Sequence, residues 1–126
     1  MTVSLRKNFN IEKRRPIWIA LSKFYLDTEL QDYDVKHITA KIRESPYSLE
    51  EVKQINKTEV FPILYQNLLS VAGVWTGFQE EWLTDEITNY LEKTTRIKRI
   101  VNRIVYAGFN GMFKDLWNRI EEEYSK

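Results

Sequence analysis

Residues 79–105, QEEWLTDEITNYLEKTTRIKRIVNRIV, decide the fold class, because apolar side chains return there every three or four positions. This spacing places them along one face of a helix rather than on alternate sides of a strand. The apolar positions of the pattern are Trp82, Leu83, Ile87, Tyr90, Leu91, Ile97, Ile100, Val101, Ile104 and Val105. Thr94-Thr95 is a candidate division between two helices.

The same period extends towards the N-terminus. Residues 1–11 have no clear period and predict an extended or frayed arm. A helix is expected at about 15–27, because Pro16 suits a first turn and apolar residues follow it at helical spacing. A second helix is expected at about 34–44, with Asp32 or Asp34 as its cap, and Ser45-Pro46 should end it.

The middle and the C-terminal parts complete a helical pattern. The stretch 48–51, Ser-Leu-Glu-Glu, predicts a capping box that starts a third helix. Thr58 is a candidate cap for a fourth helix, although Pro62 leaves open a single rod that kinks there. Two glycines make residues 72–78 a candidate tight connection that is partly buried. A last helix is expected around 112–120, after a second pair of glycines.

These segments predict an all-α fold, a single irregular bundle of about six helices that uses residues 1–126 as one domain. Since aromatic and branched aliphatic residues at helical spacing are core positions first, we expect the core to include Trp18, Leu21, Leu64, Leu68, Trp82, Ile100, Ile104 and Trp117.

Composition excludes several classes of protein. The 126 residues include 19 basic and 18 acidic ones, so a net charge of +1 gives no general attraction to nucleic acid or to a membrane. The lack of cysteine excludes a disulfide scaffold and thiol catalysis. Residues 1–10 show no secretory signal, and the densest apolar stretch, 17–21, is too short to cross a bilayer. We therefore expect a cytoplasmic protein with no membrane partner.

Few residues could carry chemistry. His37 is the only histidine, so zinc and di-iron sites that need two are excluded, and we expect it on a helix surface or half-buried. Phosphate-binding glycine loops are missing. Two clusters of acidic residues lie near predicted helix starts, where acids complement the helix dipole. They are Asp27, Glu29, Asp32 and Asp34, and Glu80, Glu81, Asp85 and Glu86. We accordingly predict no catalytic residue, no metal site and no cofactor.

Charge is unevenly distributed late in the chain. Residues 78–92 contain acids and no base, whereas residues 93–103 contain bases and no acid. Helical spacing places Arg96, Arg99 and Arg103 on one face, opposite much of the isoleucine side. A basic helix face can bind a phosphate backbone, but no nucleic-acid motif surrounds these arginines.

Several segments together resemble a family of small bacterial proteins of unknown function. They are WIALS (18–22), LDTEL (26–30), SPYS (45–48), EVFP (59–62), NLLSVAGVW (67–75), GF (77–78) and WL (82–83). The resemblance covers roughly residues 14–87 and implies a bacterial origin but no activity. Val74 stands where that family usually has a glutamate.

The pattern favours a non-catalytic protein-binding module, in its most concrete form a bacterial immunity protein that neutralises a toxin. The acidic residues Glu80, Glu81, Asp85 and Glu86 would then face a cationic toxin. Two alternatives stay open. One is an enzyme with a carboxylate site around Asp27, Glu29 and residues 80–86, which needs a deep cleft. The other is a nucleic-acid binder that uses the basic face of residues 93–103. The oligomeric state is undetermined by the sequence.

Overall fold

The protein is all-α in a computed structural model, which describes residues 2–26, 29–69 and 77–126, with side chains from residue 11 onward. The helices are α1 (Thr2–Ser22), α2 (Asp32–Glu44), α3 (Leu49–Ile55), α4 (Phe61–Leu69), α5 (Glu80–Lys93), α6 (Arg96–Ala107) and α7 (Asn110–Tyr124), with a 3₁₀ turn at Lys23–Tyr25 and a π segment at Asn56–Val60. None of the described residues forms a strand. Within that part of the chain, no helix has the length and apolarity needed to cross a bilayer.

Helix α1 corrects the prediction for the N-terminus. It begins at Thr2, so residues 2–11 are helical rather than an extended arm, and Pro16 lies inside the helix rather than in its first turn. A proline in a helix interior removes one backbone hydrogen bond and crowds the preceding turn. The residues that follow offset this effect, since Ile17 and Leu21 are completely buried.

The predicted end of α2 and the predicted start of α3 are confirmed, but the predicted start of α2 is wrong. Gln31 is the N-cap of α2, so neither Asp32 nor Asp34 caps it, and the Asp34 carboxylate instead accepts the Gln31 backbone amide at 3.0 Å. Ser45-Pro46 follows directly after the end of α2. At the start of α3, the Glu51 amide donates to the Ser48 hydroxyl at 3.1 Å, and the Ser48 amide donates to the Glu51 carboxylate at 2.8 Å. Both halves of the capping box are therefore present.

Helices α3 and α4 form one rod, joined by the π segment. This arrangement confirms the single-rod alternative, with the irregularity just before Pro62. The proline ring would crowd the carbonyl of Thr58 in a regular helix, and the wider π turn falls at that place. Thr58 does not cap a new helix, because its hydroxyl donates to the Gln54 carbonyl within the rod at 2.8 Å.

The core centres on Phe61. Its ring lies 4.9–5.9 Å, centroid to centroid, from four other aromatic rings. These belong to Tyr65 of α4, Tyr106 of α6, Phe113 of α7 and Phe109 in the link between α6 and α7. Among the predicted core residues, Trp18, Leu21, Leu64 and Trp117 are buried, and Leu68 is partly buried against the core.

Three core predictions are wrong: Trp82, Ile100 and Ile104 are exposed. Trp82 stacks on Phe78 at 6.3 Å near the surface instead of entering the core. Helical spacing predicts an apolar face on a helix, but it does not specify whether this chain's own core or another molecule packs against that face. The predicted connection at 72–78 and Asp27 lie largely or wholly outside the described residues.

Candidate interaction surfaces

Helix α6 begins directly after Thr94-Thr95, which confirms the predicted division between two helices, and it starts at a side-chain cap. Thr95 is the N-cap, and its hydroxyl accepts the Lys98 amide at 3.2 Å. A cap of this kind satisfies one of the amides that a helix start leaves unpaired. The first turn of α6 is therefore fixed independently of any packing on its exposed side.

Tyr106 and Asn102 attach α6 to the body of the protein. The Tyr106 ring is buried, stacks on Phe113 at 4.9 Å with an interplanar angle of 11°, and meets the Phe61 ring edge-on at 4.9 Å. One turn earlier, the Asn102 amide donates to the Tyr90 hydroxyl of α5 at 2.8 Å. The side of α6 that faces the body is thus aromatic and polar.

The opposite side of α6 presents four β-branched residues to solvent. Ile97, Ile100, Val101 and Ile104, here called the α6 stripe, are 73%, 46%, 51% and 68% exposed. Their spacing of three, one and three positions gives a continuous band over the helix. The amphipathic pattern that predicted a core helix is real, but its apolar face points away from this chain's core.

Basic residues border the α6 stripe. A helix turns about 100° per residue, so Arg96 and Arg103 lie along one edge of the stripe and Lys98 lies along the other. Arg99 and Arg103 also line a small cavity with Lys57 and Pro62 of the rod. The three predicted arginines therefore lie between the stripe and the body of the protein.

The four predicted acidic residues are all exposed on α5. Glu81 and Asp85, four positions apart, share a face, as predicted. Glu86 points elsewhere and lines a cavity of about 220 Å³ beside Lys93 and Lys98. Glu80 begins the helix, and its carbonyl accepts the Thr84 hydroxyl at 2.8 Å. The set thus separates into a Glu81–Asp85 face and two other positions.

The other carboxylate group lies elsewhere on the molecule. Asp32 pairs with Arg119 of α7 at 3.0 Å, and Asp34 lies 3.9 Å from the Lys23 ammonium. Glu29 and His37 are exposed. Within the described part of the chain, no three residues of metal-ligating type converge on one point. Asp32 and Asp34 are thus placed to join elements of the fold.

A buried polar cluster beneath α6 was missed by the sequence analysis. The Tyr25 hydroxyl donates to the side-chain amide oxygen of Asn56 (Oδ1) at 2.6 Å, and both residues are completely buried. Burial raises the pKa of Tyr25 well above its ordinary value. It also raises the pKa of Tyr106, although the nearby Asn56 and Trp117 donors and the Lys53 charge oppose that rise. The only available signal was an asparagine among apolar positions, which does not reveal its partner.

The sequence profile of DUF7079, a domain of unknown function, matches residues 12–123. The chain belongs to this family. No curated protein and no solved structure matches it. Membership of an uncharacterised family is therefore confirmed, and the DUF7079 match reaches well beyond the segments at 14–87 that carried the resemblance. Helices α5 and α6, with both candidate surfaces, lie inside the matched span.

Proposed function

We propose that this DUF7079 domain is a protein-binding module whose partner docks on the α6 stripe. The observation that supports the proposal is the exposure of Ile97, Ile100, Val101 and Ile104 along one face of a well-anchored helix. Contiguous apolar surface on a folded chain commonly marks an interaction site. Covering it removes apolar area from water, which is favourable by about 25 cal/mol per Å².

The stripe suits binding because it is held in place before a partner arrives. Tyr106 fastens the last part of α6 through two aromatic contacts, and Thr95 caps the first turn. β-branched side chains in a helix have few rotamers to lose on docking. Pre-organised groups give up little conformational entropy on association.

Neutralisation of a toxin is the more specific form of this proposal. It rests on the exposed Glu81–Asp85 face, whose charge would complement a cationic toxin. That face belongs to α5 and not to the α6 stripe. The toxin form therefore makes a different prediction about which residues a partner contacts.

The proposal is tested by co-purification from native cells with three forms of the chain. Ile97→Gln with Ile104→Gln removes apolar surface while keeping good helix formers on α6. Tyr33→Gln is the matched control, since Tyr33 and Ile97 are both 73% exposed and Tyr33 lies on α2.

We expect mass spectrometry to identify a protein that is retained by the wild type and by the control but is lost with the α6 double variant. If every co-purifying protein is retained by all three forms, the α6 stripe is not a protein-binding surface and the proposal is wrong.

A further inference from the structure

The borders of the α6 stripe indicate what kind of segment covers it. We propose that the partner segment is an acidic amphipathic helix, with an apolar seam bordered by Glu or Asp. This inference rests on the proposed function and specifies the chemistry of the partner at the same surface.

The geometry of the stripe fits a helix. Its residues at i, i+3, i+4 and i+7 repeat the spacing with which one helix packs its side chains into the grooves of another. Helix α6 has 12 residues, a length of about 18 Å, which accommodates about three turns of a partner. Isoleucine and valine are also well suited to such seams.

Charge determines which helix fits. From residue 93 to residue 114 the chain has six basic residues and no acidic one. Arg96 and Lys98 lie on opposite edges of the stripe, where their long basic side chains can reach towards a helix that packs on it. Opposite charges there favour the complex, whereas like charges disfavour it strongly. Acidic flanks are therefore the complementary choice.

A second copy of this chain fits the stripe poorly. Pairing α6 with itself places basic edges against basic edges in either orientation, because α6 contains no acid and Glu86 of α5 lies beside the Lys98 edge alone. One short helix face also buries far less than the roughly 800 Å² per partner of a standard stable interface. A small, charge-bordered contact instead favours reversible binding that weakens with salt.

An anionic membrane fits less well than a protein helix. Helices that lie in the membrane interface commonly carry Trp, Phe or Leu on the apolar face, and the α6 stripe has none of these. The neighbouring helix α5 exposes Glu80, Glu81 and Asp85, which anionic lipids repel. The exposed surface thus matches a protein segment better than a lipid surface.

The test uses the full chain and two synthetic helical peptides of equal length with the same leucine seam. One peptide has Glu at the flanking positions, and the other has Lys. Binding is measured by fluorescence anisotropy at low and high salt. We expect the chain to bind the Glu-flanked peptide at least about tenfold more tightly, with the difference shrinking as salt rises.

Charge reversal on α6 should invert this preference. Arg96→Glu with Lys98→Glu changes both edges without weakening the helix. A carboxylate in the first turn favours the helix dipole, and one at position 98 completes a capping box with Thr95. Lys36→Glu reverses one exposed charge on α2 and is the control for the Arg96→Glu and Lys98→Glu changes taken singly.

Equal affinity for both peptides, or binding of neither, overturns the inference. It is also overturned by stripe-dependent binding to phosphatidylglycerol vesicles, or by sedimentation of a dimer that Ile104→Gln abolishes. If the native partner is lost with the Ile97→Gln, Ile104→Gln variant while the peptides are not distinguished, the proposed function stands and the inference fails. If the chain distinguishes the two peptides but the Ile97→Gln, Ile104→Gln variant still co-purifies with every native partner, the proposed function fails instead.

Discussion

The Trp18 indole N–H donates to the Glu59 carboxylate at 2.8 Å, which joins α1 to the π segment. Arg14 forms an ion pair with the same carboxylate and places its guanidinium over the Tyr47 ring at 5.0 Å. Trp18 and Glu59 also lie in two of the segments that carry the family resemblance. Their contact gives a physical reason for the two segments to occur together.

Glu59→Gln should destabilise the fold by about 1.5–3 kcal/mol, the usual range for a hydrogen bond to a charged group. The carboxylate is only 12% exposed, so solvent cannot fully replace the lost interaction. Urea denaturation measures the change. Glu44→Gln is the control, because its pair with Lys41 is more exposed. Equal losses for the two variants would show that the partly buried Glu59 charge, beside Arg14 and Trp18, contributes no more than an exposed ion pair.

Tyr106→Ala and Ile104→Ala should differ sharply although they are two positions apart. Removing the buried Tyr106 ring leaves a cavity against Phe61 and Phe113 and should destabilise the fold by about 3–5 kcal/mol. Ile104 is 68% exposed, so its replacement should change stability by less than about 0.5 kcal/mol.

Chemical denaturation measures both values, and hydrogen exchange should show α6 amides losing protection in the Tyr106 variant alone. A loss above about 2 kcal/mol for Ile104→Ala would mean that the α6 stripe is covered within this chain.

The sequence predicted the helical class and several boundaries because these depend on local chemistry. The Ser48–Glu51 capping box, the division at Thr94-Thr95 and the break at Ser45-Pro46 need only neighbouring residues. The start of α1 was misplaced because Pro16 is favourable in a first turn, whereas burial of Ile17 and Leu21 holds it in a helix interior. That burial comes from distant parts of the chain.

The sequence predicted which residues of α6 share a face, but not whether that face is buried or exposed. Helical spacing correctly grouped Ile97, Ile100 and Ile104 and separated them from the arginines. It assigned them to the core because an apolar face ordinarily turns inward. Tyr106 occupies the inward side instead, since its ring fits among Phe61 and Phe113, and nothing in the local spacing distinguishes these two orientations.

Ser48→Ala should destabilise the protein by about 1 kcal/mol, because a hydroxyl that accepts the Glu51 amide is lost while the core is untouched. Thermal and urea denaturation measure the loss. In a double-mutant cycle, Glu51→Ala should have a smaller effect in the Ser48→Ala background than in the wild type, because the two halves of the box support each other. Strict additivity would contradict that reciprocity.

Tyr25 should make the protein lose stability at alkaline pH. Burial raises its pKa in the folded state well above the ordinary value of 10.0, whereas an unfolded chain ionises near that value. Above about pH 10 the unfolded state therefore binds fewer protons, so the free energy of unfolding falls as pH rises. The pKa values of Tyr106, raised by burial, and Lys53, raised by its hydrogen bond to Glu121, act in the same direction.

Tyr25→Phe should flatten this alkaline decline by up to about 1.4 kcal/mol per pH unit. Urea denaturation across a pH series gives the slope, and Tyr33→Phe, at an exposed tyrosine on α2, is the matched control. A slope equal to that of the wild type would show that Tyr25 ionises equally in both states. At neutral pH the variant should still lose stability, because Asn56 loses a buried donor.

The two candidate surfaces carry opposite charges, so the direction in which a charge reversal changes the association rate shows which surface the partner contacts. Glu81→Lys with Asp85→Lys replaces two exposed acids on one face of α5 and leaves the buried Leu83 and Ile87 in place. An acidic helix that docks on α6 should associate faster with this variant at low salt, because the added positive charge steers it. A cationic toxin that binds the acids should associate more slowly, with weaker salt dependence.

We expect faster association, measured by surface plasmon resonance with the identified partner. Arg96→Glu with Lys98→Glu should show the opposite change. A slower rate for the α5 double reversal, with no effect of the α6 reversal, would move the interface to Glu81 and Asp85 and favour the toxin form.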